Sequence, residues 1–143
     1  MRKIIFSIGL GILMAACQQG DQKKNTASAQ QPDIEDSTNY TSISWLDNNQ
    51  DFGKVTEGQK VEVNFHFKNT GDKPLVIYSV RPGCGCTAAE PPKEPVLPGK
   101  EGIIKGSFDS QGRVGTNNKS IFVLANTNPN NQTLYFKVEV LKP

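Results

Sequence analysis

The sequence predicts an all-β fold, an antiparallel β-sandwich of about seven short strands. Three observations predict it. Apolar and polar residues alternate over Val61–Lys68 and again over Leu134–Val140, the period of a half-buried strand. Short segments of this kind recur between clusters of Gly, Asn, Asp and Pro, which favour turns. No segment carries a convincing amphipathic helical period. A chain of 143 residues, 36% hydrophobic and 21% charged, has room for one domain with a modest core.

Before that domain the texture is different. Met1-Arg2-Lys3 is a positive start, Ile4–Leu13 is a short apolar run, and Met14-Ala15-Ala16 brings small residues up to Cys17. This is the layout of a secretory signal, and the run is too short to span a membrane comfortably. The small residues immediately before a cysteine resemble the lipobox of bacterial lipoproteins, with Met14 where the pattern more often has Leu. That resemblance implies a signal peptide over 1–16 and an acylated, palmitate-bearing Cys17 as the first mature residue. Residues 17–40 are then the lipidated Cys and a tether. Gln18–Asn39 is almost devoid of apolar side chains and cannot bury enough surface to offset its ordering entropy, which predicts a flexible segment. Fully extended, ~22 residues reach ~70 Å. Gln18 rather than Asp follows Cys17. That favours the outer membrane of a bacterial cell envelope, with the leaflet and face left open.

The domain is expected over 41–143. Ser42–Trp45 opens the first strand, and Phe52–Val55 is a second short element closed by Glu57-Gly58. Val61–Lys68 is the clearest strand, with its apolar residues on the odd positions. Asn69–Asp72 is a turn. Leu75–Val80 is strand-like and leads into Arg81-Pro82-Gly83-Cys84-Gly85-Cys86-Thr87. Glu90–Pro98 holds four prolines, which lack an amide donor, so an exposed edge crossover is expected there. Gly102–Phe108 and Ser120–Ala125 are strands, 109–115 a loop, Asn126–Asn131 a turn, and Leu134–Val140 closes the chain.

Phe52-Gly53-Lys54-Val55, Phe65-His66-Phe67-Lys68-Asn69-Thr70-Gly71, Gly83-Cys84-Gly85-Cys86-Thr87, Leu97-Pro98-Gly99, Phe108-Asp109 and Gly112-Arg113 together resemble the bacterial family called domain of unknown function 1573. The resemblance covers about Trp45 to Val140, and the Gly-Cys-Gly-Cys-Thr string is its most specific part. It implies an immunoglobulin-like sandwich similar to major-sperm-protein and PapD-type domains, and a cell-envelope address. It implies no activity.

Chemistry concentrates at Cys84 and Cys86. Once Cys17 is assigned to acylation, they are the remaining two of three cysteines. The glycines around them free the backbone to take positive φ. Residues two apart in an extended strand have Cα atoms ~6.6 Å apart, at the upper edge of the ~4.4–6.8 Å disulfide range. Bridging therefore requires a bend, which Gly85 permits. An oxidising envelope favours the disulfide. Three readings stay open: a structural staple, a redox site, and a metal site. Two thiolates would suit Cu(I), a soft ion; a structural zinc normally needs four ligands. His66 points to the polar face of its strand and reads as a solvated residue rather than a ligand. The redox reading lacks the Cys-x-x-Cys spacing and helix N-terminus that lower a thiol pKa, although Arg81 is a nearby cation.

Several function classes recede. Without Arg2 and Lys3, 16 basic residues become 14, against 14 acidic, so a general basic footprint for nucleic acid is missing. One His, no Gly-x-Ser-x-Gly and no phosphate loop argue against a hydrolytic enzyme. Trp45, Tyr78 and Tyr135 are either a binding surface or core and rim packing. The expectation is a non-enzymatic, membrane-anchored interaction or scaffold domain with a protein or glycan partner, which Ig-like sheets engage by β-augmentation. The alternative is a thiol site at Cys84 and Cys86 for Cu(I) handling or disulfide exchange.

Overall fold

The computed structural model describes residues 37–143. The expected signal peptide, Cys17 and the tether up to residue 36 lie outside the described residues. After a 3-10 turn at Ser37–Asn39, nine strands follow: β1 (Ile43–Trp45), β2 (Asn49–Thr56), β3 (Lys60–Glu62), β4 (Phe65–Asn69), β5 (Ile77–Pro82), β6 (Thr87–Glu90), β7 (Glu101–Asp109), β8 (Gly115–Ala125) and β9 (Asn131–Leu141). They form two sheets. One has β7 at its centre, pairing with β3, β4 and β6, with β1 beyond β4; the other runs β2-β9-β8-β5.

The alternation seen in the sequence explains the packing. In β4 Phe65, Phe67 and Asn69 are buried and His66 and Lys68 exposed. In β9 Leu134, Phe136, Val138 and Val140 point inward. The two inner faces meet through Phe108 of β7 and Phe136 of β9, edge to face with ring centroids 5.8 Å apart. Such a pair adds about 0.5–1.5 kcal/mol beyond the area it buries. Phe52 of β2 packs on Phe136 in the same manner at 6.1 Å. Trp45 of β1 does so on Phe67 at 5.4 Å. Gly102 lets Phe67 lie across β7, because a Cβ there would come within 2.5 Å of the ring.

Five details depart from the sequence expectation. The predicted strand Val61–Lys68 is interrupted at Val63-Asn64, although its register along β7 is unbroken: Glu62 faces Ser107 and Phe65 faces Ile104. The cause is local. The Gly106 amide donates to the Asn64 side-chain Oδ1 (3.4 Å), while Val63 still donates to the Gly106 carbonyl (2.9 Å). Thr87–Glu90 is a strand, which raises the count further. The predicted strand at Leu75 begins later, at Ile77, because Leu75 and Val96 of the proline-rich crossover exchange backbone hydrogen bonds of 2.8 Å. Finally, the sandwich is not wholly antiparallel: β2 pairs parallel to β9, with Asp51 opposite Lys137 and Val55 opposite Val140. The predicted loop over 109–115 also ends early, since β8 already starts at Gly115.

Two buried asparagines hold one end of the sandwich. Asn69 has no exposed surface. Its Oδ1 accepts from the Thr41 hydroxyl (3.0 Å) and the Gly71 amide (3.1 Å). Its Nδ2 donates to the carbonyls of Lys73 (2.7 Å) and Val96 (2.8 Å). Asn126 Oδ1 accepts from the Val76 amide (2.7 Å), and its Nδ2 donates to the carbonyls of Asn39 (2.8 Å) and Pro74 (3.0 Å). Leaving buried partners unsatisfied costs about 1–3 kcal/mol. Asn69→Ala strands several such groups and is expected to destabilise the domain by about 3 kcal/mol, read from the midpoint of urea unfolding. A loss below 1 kcal/mol would contradict this assignment.

Candidate functional site

The Cys turn sits where β5 ends and β6 begins. Pro82 is still opposite Ile121 of β8, and the Gly83 amide donates to the Ser120 carbonyl at 2.9 Å. The chain then reverses, the Thr87 amide donating to the Cys84 carbonyl (3.3 Å). The Asp109 amide donates to the Cys86 carbonyl (2.9 Å), which ties the far side of the turn to β7. The Cα atoms of Cys84 and Cys86 are 5.3 Å apart and their sulfurs are joined. The bend brings the pair in from the extended spacing of ~6.6 Å.

The two sulfurs have different surroundings. Cys86 is 7% exposed and belongs to the core cluster, while Cys84 is partly buried at its rim. The buried Thr87 hydroxyl lies 3.6 Å from Cys84 Sγ and 3.9 Å from Cys86 Sγ. Beside Cys86 is a shallow depression of about 200 Å³ lined by Lys60, Gly85, Thr87, Ser107 and Asp109. The expectation that Gly83 and Gly85 serve positive φ is corrected: the positive-φ glycines are Gly53, Gly58, Gly99, Gly112 and Gly115. Gly83 is required by close approach instead. A Cβ there would lie 2.8 Å from Ser120 Oγ, whereas one on Gly85 would meet nothing within 4 Å.

The structure does not bring other ligand types to the pair. Among the described residues, no group of three or more His, Cys, Asp and Glu side chains gathers. His66 is exposed, and its partner is Asp47: Oδ2 lies 2.7 Å from His66 Nδ1, and Oδ1 accepts from the His66 amide at 2.6 Å. With their sulfurs joined, Cys84 and Cys86 offer no thiolate to a soft ion; reduction would create that donor set.

A second feature lies on the outer face of the β2-β9-β8-β5 sheet. Tyr135, a sequence candidate, is 53% exposed, and Phe122, which was not singled out, is 52% exposed. Alternation could have found Phe122, since it sits between the inward-facing Ile121 and Val123. Trp45 is half-buried against Phe67, and its buried Nε1 has no partner among the described residues. Tyr78 is half-buried. Across the face, Phe122 lies between Arg81 and Thr133, and Tyr135 between Asn49 and Ser120. Shallow depressions of about 500 and 450 Å³ adjoin the two rings. The acids on this sheet are occupied. Asp51 Oδ2 is 3.3 Å from Lys137, and Glu139 is 3.9 Å from Lys54. The Gly53 amide and then Lys137 hold the Asp51 carboxyl below the usual carboxylate range. Arg81 has no carboxylate partner among the described residues.

Residues 43–140 match the model of a family described as "Protein of unknown function (DUF1573)". Solved structures share the fold at low identity. A protein of unknown function from Porphyromonas gingivalis W83 superposes with a TM-score of 0.64 at 18% identity, over 72% of this chain and 48% of that one. The chain thus spans about half the length of that relative. An ASH/PapD-like domain of human CEP192 gives 0.55 at 12%, covering 73% of this chain and 88% of that. The secreted serine protease VesC of Vibrio cholerae gives 0.54 at 14%, with 71% of this chain but 23% of that. No curated protein matches the chain significantly.

The two glycines of the Cys turn should respond differently to a methyl group. Gly83→Ala overpacks against Ser120 and is expected to cost about 1–2 kcal/mol, while Gly85→Ala should stay within about 0.5 kcal/mol of the parent. Thermal melts of both variants check this, and equal melting temperatures would show that close approach is not what Gly83 serves.

Proposed function

The chain belongs to the family described as protein of unknown function (DUF1573), and on that premise we propose that it is a lipid-anchored, non-enzymatic interaction module of the bacterial cell envelope. The observation that carries the reading is the exposed ring of Phe122 beside the edge strand β5, with the exposed Tyr135 one strand further in on the same face. Aromatic side chains and Arg are enriched at interface anchors, and large apolar groups left in water mark contact sites. The occupant we propose is an extended polypeptide segment that adds to the edge of β5 by β-augmentation. Its main chain would pair with β5 and its side chains would lie over Phe122. Arg81, lacking an acid, favours a segment carrying Asp or Glu there. Both long edges carry a register shift, β2 between Asp51 and Lys54 and β5 between Ile77 and Ser79; what favours β5 is the exposed Phe122 and Arg81 beside it. The PapD-like likeness supports the fold on which such addition is built.

The anchor rests on the run up to Cys17. Several acyl chains hold a protein at a membrane far more firmly than one, at ~0.8 kcal/mol per buried methylene. A second reading is favoured by the adjacent sulfurs at the rim of the domain: a thiol site that exchanges disulfides or, once reduced, holds Cu(I) between two thiolates.

Both parts can be checked separately. Cys17→Ser is expected to abolish palmitate incorporation and move the chain out of the membrane fraction; retention and labelling as before would end the anchored reading. For the surface, the full chain, Phe122→Ala and Arg81→Glu are compared in capture from envelope extract against a tether-only control. The expected result is a protease-sensitive species that both substitutions reduce at least tenfold. A protease-resistant glycan, or capture indifferent to both residues, would overturn the polypeptide reading.

A further inference from the structure

Resting on the second reading above, we infer that the Cys84–Cys86 pair exchanges with thiols in one direction: an external thiolate attacks Cys84 Sγ, and Cys86 Sγ is the leaving group. Access makes the first part of the case. Cys86 is 7% exposed within the core cluster, whereas Cys84 lies at the rim between Gly83 and Gly85, both exposed. Outside Gly85 there is open space for an approaching group. Displacement at sulfur runs in line, with nucleophile and leaving group on opposite sides of the sulfur attacked. Cys84 is the more exposed of the two, so an external thiolate reaches it more readily than Cys86. Cys86 lines a shallow depression with Gly85, Thr87 and Asp109, but it remains the less exposed of the two sulfur-bearing residues.

The backbone ties agree with this order. Cys86 is tied to β7 through its carbonyl, which accepts from the Asp109 amide (2.9 Å), whereas the Cys84 carbonyl is tied only within the turn, to the Thr87 amide (3.3 Å). The Thr87 hydroxyl, 3.6 Å from Cys84 Sγ and 3.9 Å from Cys86 Sγ, can donate to a thiolate on either sulfur and does not set the order. Arg81 is three residues before Cys84, exposed and without an acid partner among the described residues. It favours thiols carried on anionic molecules.

The steps balance with a thiol as the named co-reactant. The incoming thiolate forms a sulfur–sulfur bond to Cys84 as the Cys84–Cys86 bond breaks, and the Cys86 thiolate takes a proton from water. A second substrate thiolate then attacks the substrate sulfur of the mixed disulfide and releases Cys84 as a thiolate. The substrate thiols leave as a disulfide, two electrons poorer, and the pair becomes a dithiol. The substrate class is therefore a dithiol, or two thiols in turn, exposed and preferably anionic.

The test uses the full chain carrying Cys17→Ser, which leaves the domain untouched. It is exposed briefly to limiting reduced glutathione, quenched with alkylating agent, and peptide-mapped. The expected result is glutathione on Cys84 with alkylated Cys86, in at least tenfold excess over the opposite arrangement. Equal adducts, or glutathione mainly on Cys86, overturn the directional proposal while leaving exchange itself standing. If neither cysteine forms an adduct and the pair stays joined, exchange itself fails and the proposal goes with it. A second measurement avoids the disulfide: with Cys86→Ser, Cys84 should react with methyl methanethiosulfonate at least tenfold faster than Cys86 does in Cys84→Ser. Similar rates would again contradict the inference.

Discussion

A buried amide holds this fold in register at one end. Asn69 is sealed from water yet uses both lone pairs of its oxygen and both hydrogens of its nitrogen. Few side chains can satisfy two donors and two acceptors at once. A buried polar group with every bond made specifies one arrangement of its neighbours; with a bond missing it becomes a liability. Through these bonds the start of β1, the turn after β4 and the proline-rich crossover are fixed to one another. Asn126 does the same for the 3-10 turn and the segment entering β5.

The opposite end of the sandwich is closed by different chemistry. β5 runs from the region of Asn126 to the Cys turn, and β7 from the region of Asn69 to Phe108 and Asp109, which face Thr87 and Cys86. One end is held by hydrogen bonds to neutral amides, which respond little to redox conditions or to pH. The other is held by a sulfur pair and a few backbone bonds. Between them the edge-to-face rings of Phe108 and Phe136 join the two sheets. The chemically responsive group thus stands at the end where the exposed ring of Phe122 and Arg81, which has no acid partner among the described residues, also lie.

How much of this was legible in the chain depends on how local each feature is. The inward faces of β4 and β9 could be read directly, because alternation is written in consecutive residues. The adjacency of Cys84 and Cys86 was also plain, although the reason for Gly83 was not: it serves the approach of Ser120, a residue far along the chain. Thr87–Glu90 escaped because Ala88 and Ala89 are poor strand formers and lie between glycines and prolines. Asn69 looked like the first residue of an ordinary turn, and its burial arises only when Thr41 and Val96 arrive from elsewhere. Phe122 was placed in the right strand, but its exposure follows from having no layer above it among the described residues. The parallel pairing of β2 with β9 leaves no local mark at all.

That pairing has a mechanical consequence. β2 lies near the start of the domain, β9 is its last strand, and they run side by side in the same direction. A load applied between the beginning and the end of the domain pulls these neighbours along their length in opposite senses. The hydrogen bonds between them then share the force as a set and must yield together, instead of peeling open one by one from a free end. A domain tied down at its N-terminal side and pulled from the other side would therefore resist stretching where its two extremities meet.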